Sequence, residues 1–110
     1  MRKKIHSYLG FAKRSGNLVS GYNACIRSMS RRKIKLLVLA GDLSENSLSK
    51  MTKEAEKWKV PYRVFSCIDE ISWMTGQTGV GILGITEKNF SNIIAKEIDE
   101  SRSSEGEVFQ

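Results

Sequence analysis

The segment Gly21-Tyr22-Asn23-Ala24-Cys25-Ile26-Arg27 brings together three kinds of group that handle phosphates and base edges. At the start of a helix, the first backbone N–H groups have no intrahelical partner and carry partial positive charge, so they attract anions. Asn23 adds an amide that both donates and accepts, and Arg27 adds a guanidinium one turn later on the same face. Arg31 continues the stripe at the same spacing, so three polar side chains line one edge of a helix. The same spacing also describes an ordinary solvated helix face with an asparagine near its start. The residue types alone leave both readings open.

The distribution of charge bears on that choice. Residues 1–41 hold ten bases (Arg2, Lys3, Lys4, Lys13, Arg14, Arg27, Arg31, Arg32, Lys33, Lys35) and no acid, while residues 42–110 hold eight bases and twelve acids. The chain is therefore +10 in its first part, −4 in its second and +6 in all. Ile5, Tyr8, Leu9, Ala12, Cys25, Ile26 and Met29 are interleaved with the basic residues, so the block belongs to a folded region and is not a disordered arm. Such a block recruits polyanions, and nucleic acid is the leading partner class. A merely soluble basic surface is the plainer alternative.

Catalytic and metal chemistry are poorly supplied. The single histidine, His6, has no acid near it in sequence, and the acid pairs Asp69-Glu70 and Asp99-Glu100 suit helix ends and solvated faces. Cys25 and Cys67 lack any zinc-type spacing and read as reduced thiols. Gly79-Val80-Gly81-Ile82-Leu83-Gly84 satisfies G-x-G-x-x-G, with Asp99 twenty residues beyond Gly79. In a dinucleotide fingerprint the glycines follow a strand and open a helix, whereas these follow a helix and run into a strand. They are expected to serve a tight loop and a close backbone approach. No apolar run approaches the ~20 residues of a membrane span, and no secretory segment follows Met1-Arg2-Lys3-Lys4, so a cytoplasmic protein is expected.

The elements that must position the stripe follow from periodicity. Ile5, Tyr8, Leu9 and Ala12 predict a helix over about 2–14, ended by Ser15-Gly16. A short strand, Leu18–Ser20, leads into the helix that carries Tyr22, Cys25, Ile26 and Met29 on its other side. Ile34–Ala40, apolar but for Lys35, predicts a strand buried on both faces, which requires helices over both sides of a sheet. Ser47 is expected to cap a helix with Leu48, Met51, Ala55 and Trp58, and Pro61 marks the exit into a strand at Tyr62–Phe65. Ser66 precedes a short helix to about Met74, a loop spans Thr75–Gly79, Val80–Thr86 forms a fourth strand, and a last helix covers about Lys88–Glu100. Residues 101–110 are expected to be a flexible tail, leaving a single domain over 1–100. The expected fold is α/β: a three-layer α/β/α sandwich with a four-stranded mixed sheet and about five helices.

The run GYNACIRSMSRRKIKLLVLAGD resembles the helix–strand core of the ribosomal L-seven-Ae / L-thirty-e family of RNA-binding proteins. LGFAKRSGNLVSG ahead of it is similar to the opening of the family's bacterial YlxQ-type branch, and Val60-Pro61-Tyr62 and Gly84-Ile85-Thr86 fit the later strands. The resemblance covers about residues 5–98. It implies the same sandwich, no catalytic site, no cofactor and no metal, and RNA as partner, in many members a kink-turn: a duplex sharply bent at sheared G·A pairs. By that resemblance Asn23 would bond the sheared purines, and Arg27 and Arg31 would meet purine edges or phosphates. Gly21, Tyr22 and Ala24 would complete the helix start, and Arg32, Lys33, Lys13 and Arg14 would add phosphate attraction. Gly76, Gln77, Thr78, Gly79 and Val80 would close over an extruded nucleotide.

The sequence departs from the kink-turn pattern where Ala24 replaces a glutamate that accepts from guanine, since alanine offers no acceptor. Gly41 replaces an acid, Trp73 stands where a lysine is common, and the loop after Gly76 is shortened. The expected function is therefore that of a small, ribosome-associated ribonucleoprotein component recognising structured, kink-turn-like RNA. A protein-interaction adaptor on the same fold is the alternative.

Overall fold

The computed structural model describes the backbone of residues 2–108 and the side chains of residues 3–102. In chain order the elements are α1 (Arg2–Arg14), β1 (Leu18–Ser20), α2 (Tyr22–Ser30), β2 (Leu36–Leu39), α3 (Glu45–Lys57), β3 (Tyr62–Val64), α4 (Ile68–Met74), β4 (Ile82–Ile85) and α5 (Lys88–Val108). The sheet order is β1-β4-β2-β3, with β4 antiparallel to both neighbours and β2 parallel to β3. Leu39 pairs with Ile82, Ser20 with Leu83 and Leu39 with Val64. The ends of β1, β2 and β3 and the start of β4 therefore share one edge of the sheet.

The fully buried β2 divides its side chains between two cores, as alternation along a strand requires. Leu36 and Val38 join Leu83 and Ile85 of β4 under α1, α4 and α5, packed with Ile5, Leu9, Ile71, Ile94 and Ile98. Leu37 and Leu39 join Ile82 under α2 and α3, packed with Cys25, Met29, Met51 and Ala55. The result is a three-layer α/β/α sandwich with a mixed four-stranded sheet.

Two glycines of the G-x-G-x-x-G run are required by packing. A Cβ on Gly84 would stand 2.4 Å from Ile34 Cδ1 and 3.1 Å from Ile34 Cγ1, so a bare backbone there makes room for the buried Ile34 side chain. A Cβ on Gly81 would stand 2.8 Å from Ile68 Cγ1, 3.0 Å from Leu43 Cδ2 and 3.2 Å from Ala40 Cβ. Asp99 is committed elsewhere: its carboxylate accepts from Arg63 Nε at 2.8 Å and Nη2 at 3.1 Å, tying α5 to β3.

Three boundaries differ from the sequence reading, each through a contact that periodicity does not register. α3 starts earlier than expected because Ser44, not Ser47, is its cap, the Ser44 hydroxyl accepting from Ser47 N at 3.1 Å. α4 has no side-chain cap of its own, and Ser66 takes a left-handed φ of 58°. The Asp42 carboxylate instead accepts from Ile68 N at 2.8 Å across 26 positions of sequence. α5 does not stop near Glu100 but runs to Val108, so the expected tail begins as helix; residues 109 and 110 lie outside the described residues. Ser101 is buried one turn beyond Ile98 and extends the Ile94–Ile98 seam with a polar residue, while the Arg102 guanidinium donates to the Val64 carbonyl.

Candidate nucleic-acid interface

α2 is a nine-residue helix whose inner face, Cys25 and Met29, is fixed against the sheet. That anchoring turns Asn23, Arg27 and Arg31 outward, and all three are exposed. Neither arginine enters an ion pair among the described residues, so both charges are available to an incoming anion. Gly21 is the N-cap, at φ 98°, a conformation strained for any residue with a Cβ, and no side chain caps the helix. Its N–H donates to the Ile82 carbonyl at 2.9 Å, which pins the helix start to β4 while the amides of the first turn stay without a side-chain cap. Burial also settles the role of Cys25. Its thiol is pushed up to about 12 and donates to the Val19 carbonyl, so it is a structural group and no nucleophile.

The loop between α4 and β4 stands beside this helix start. The Ser20 hydroxyl donates to Gln77 Oε1 at 3.0 Å, joining the loop to the strand end that precedes Gly21. Its base is clasped by the buried Ser72, whose hydroxyl donates to the Val80 carbonyl at 2.9 Å and accepts from Val80 N at 2.8 Å. Gly76 and Gly79, at φ 65° and 67°, make the turns between. Gln77 is half-buried, and Gly76, Thr78 and Gly79 are exposed. The loop is thus held at its base and open at its tip, next to the uncapped amides of α2.

The remaining sequence-derived candidates separate into different places. Lys13 turns toward the loop, one ammonium N–H donating to the Thr75 carbonyl at 2.6 Å, so it anchors that segment from α1 while its charge stays exposed. Arg14 sits on the same helix with its guanidinium 4.8 Å from the centre of the Phe11 ring. Arg32 and Lys33 follow the C-terminal end of α2, about 14 Å from Gly21 along a helix of this length. Arg32 there faces the Trp58 ring at 5.8 Å. The structure therefore sets the start of α2, Gly21, Tyr22, Asn23 and Ala24, beside Gly76–Val80 through the Ser20–Gln77 bond, puts Arg27 in the last turn of the helix and Arg31 beyond it, and leaves Arg32 and Lys33 outside the cluster.

A set of basic residues that sequence reading passed over borders this cluster. A groove of about 420 Å³ between α2 and α3 is lined by Tyr22, Lys50, Lys53, Glu54 and Lys57. The lysines recur at i, i+3 and i+7, so helical spacing alone marks one face. Their local mixture with Glu54 and Glu56 hides them from a count of net charge. The groove presents Lys50, Lys53 and Lys57 around one carboxylate, Glu54, and no cluster of metal-ligand type occurs among the described residues.

Comparison with known proteins decides the family. The profile of the ribosomal protein L7Ae/L30e/S12e/Gadd45 family matches residues 3–95. The chain belongs to that family. It is 28% identical over 91 residues to the RNA-binding protein YlxQ of Bacillus subtilis (strain 168), covering 83% of this chain and 91% of that one. Against the RNA-binding protein YlxQ of Enterococcus faecium it is 31% identical over 91 residues, covering 82% and 86%. A solved structure of a Bacillus halodurans C protein with unknown function superposes with a TM-score of 0.84 at 22% identity, covering 87% of this chain and 97% of that one, and shares the fold. The family is named for ribosomal proteins and the two YlxQ relatives for RNA binding, and none of these names denotes an enzyme. Among the described residues no helix is long and apolar enough to cross a membrane.

Proposed function

We propose that this protein binds structured RNA, holding a bent duplex between the start of α2 and the loop 76–80. The observation that carries the reading is the pairing of an uncapped helix start, bearing exposed Asn23 with exposed Arg27 one turn further on the same face, with a loop pinned beside it through Ser20 and Gln77. Uncapped amides and an unpaired guanidinium meet phosphates, Asn23 meets base edges, and the loop tip covers what lies between them. The names of the YlxQ relatives, and the absence of any acid from residues 1–41, support the same reading.

The proposed target is a kink-turn-like element, in ribosomal or other structured RNA of the cytoplasm, bound with relaxed base selectivity. Ala24 offers no acceptor to a guanine, and one base contact of that type is worth about 1–3 kcal/mol of discrimination. Selection then rests on shape: a duplex already bent across α2 is favoured over one that must be bent on binding. Fluorescence anisotropy with a kinked hairpin and a straight duplex of equal length, at two salt concentrations, tests this. Tighter binding of the kinked RNA, weakened by Asn23→Ala and by Arg27→Ala, is the expected result. Equal binding of both RNAs would remove shape recognition, and binding of neither would favour the adaptor reading.

A further inference from the structure

The face formed by α1 and α4 has features that neither packing nor the α2 site uses. Trp73 is 67% exposed and Phe11 52% exposed, an uncommon placement for the two largest apolar residue types on a domain of this size. Gly10 occupies the interior of α1, where glycine is destabilising, and no packing contact requires it. The nearest atom to a Cβ there would be Arg14 Nη1, at 3.4 Å. Trp73 and Gly10 line one groove of about 430 Å³, walled also by His6 and bordered by Lys13, Arg14 and Gly76. A smaller adjoining pocket of about 230 Å³, sharing His6, Gly10 and Arg14 with it, is lined by Phe11.

The side chains are arranged before any ligand arrives. The His6 ring lies 4.5 Å from the Trp73 ring, which steadies the indole while leaving most of it accessible. The Arg14 guanidinium is stationed over Phe11. Among the described residues no carboxylate lines either part of the groove; Asp69 and Glu70, the two acids of α4, both stand outside the lining. Exposed aromatic faces interleaved with cations are what unpaired nucleotides need, because every base offers a π-face to stack and every linkage a phosphate to neutralise. A protein partner for an apolar patch would not call for an acid-free basic border.

From this we infer that the groove between α1 and α4 is a second RNA site, which takes an unpaired strand by stacking a base on Trp73 with Lys13 and Arg14 beside its phosphates. The inference rests on the RNA-binding reading above and extends it. Thr75 and Gly76 belong both to the groove and to the base of the 76–80 loop, so a single strand leaving a duplex bound at α2 passes directly onto Trp73. The α2 site then reads duplex shape, and the groove reads the presence of a flanking unpaired segment.

Two measurements on the full chain separate this site from the first. In a Trp58→Phe background Trp73 is the sole tryptophan, and titration with a single-stranded adenosine hexanucleotide should quench its fluorescence. In anisotropy, a kinked hairpin with a six-nucleotide single-stranded extension should bind more tightly than its blunt counterpart. Trp73→Ala should erase that gain, roughly 5- to 150-fold for one stacked base, with blunt-hairpin binding unchanged. Arg27→Ala should weaken the blunt hairpin and leave the quenching intact. A blunt hairpin that binds, with no quenching and no gain from the extension, would overturn this site alone. Quenching by the hexanucleotide without hairpin binding would overturn the α2 reading and keep this one. Absence of both would overturn both, and circular dichroism confirms that each variant is folded.

Discussion

Gly81→Ala should cost about 2 kcal/mol of stability and disturb the candidate interface from behind. The added Cβ would meet Ile68 Cγ1 at 2.8 Å, Leu43 Cδ2 at 3.0 Å and Ala40 Cβ at 3.2 Å. Leu43 can rotate its terminal methyl away, but Ala40 Cβ has no rotamer to change and Ile68 Cγ1 lies close to its own backbone. Relief must therefore come from separating β4, the turn after β2 and the start of α4. Overpacking of this kind costs about 1–3 kcal/mol. For a domain near this length each kcal/mol lowers the melting temperature by roughly 4–8 °C, so a fall of roughly 8–16 °C is expected by calorimetry. Gly79→Ala supplies the control. It meets nothing within 4 Å but holds φ at 67°, so it carries only left-handed backbone strain of about 1–2 kcal/mol. The Ala40 N–H donates to the Gly81 carbonyl at 2.8 Å, so the relaxation required by Gly81→Ala should also shift the amide resonances of Ala40 and Gly41, which Gly79→Ala should leave in place. Equal stability of Gly81→Ala and the unaltered protein would refute the packing argument.

Removal of the Ser72 hydroxyl in Ser72→Ala leaves the N–H and carbonyl of Val80 without their partner, and should cost about 1–3 kcal/mol together with faster amide exchange across residues 76–80. Arg27→Ala should lower RNA affinity and reduce the slope of log affinity against log salt by about one, the share of a single phosphate contact. An unchanged slope would remove that role. Lys13→Met, which keeps the stem and loses the donor to Thr75, should loosen the same loop in hydrogen exchange even without RNA. Alkaline pH tests Cys25. Its folded thiol titrates at about 12 against an ordinary 9.0, so the contribution is complete below pH 9 and is lost as pH rises from 9 towards 12. At pH 10 the loss should be about 1.4 kcal/mol, absent from the pH dependence of Cys25→Ala.

The parts of the fold legible in the sequence are those in which one short segment carries its own signal. The apolar run around β2 announced a strand covered on both faces, and helical spacing within α2 separated Cys25 and Met29 from Asn23 and Arg27 without tertiary information. The family resemblance then singled out that stripe from other solvated helix faces. Contacts between distant segments were not legible. The cap of α4 comes from Asp42, the loop anchor from Lys13 and the loop clasp from Ser72, and no local pattern distinguishes these residues from their neighbours. Ser101 hid the continuation of α5 because a polar residue in a buried seam breaks the periodicity that marks a helix. The exposure of Trp73 depends on α4 turning Ile71 and Met74 inward, which places position 73 outside.

The most direct test of RNA recognition at α2 is an amide chemical-shift titration of the isotope-labelled protein with a blunt kinked hairpin. Resonances of Gly21 to Arg27 and of Gly76 to Val80 should move together and saturate at one equivalent, while those of Arg32 and Lys33 respond weakly. Shifts confined to α3 or α5, or movement at α2 without any at the loop, would contradict the account.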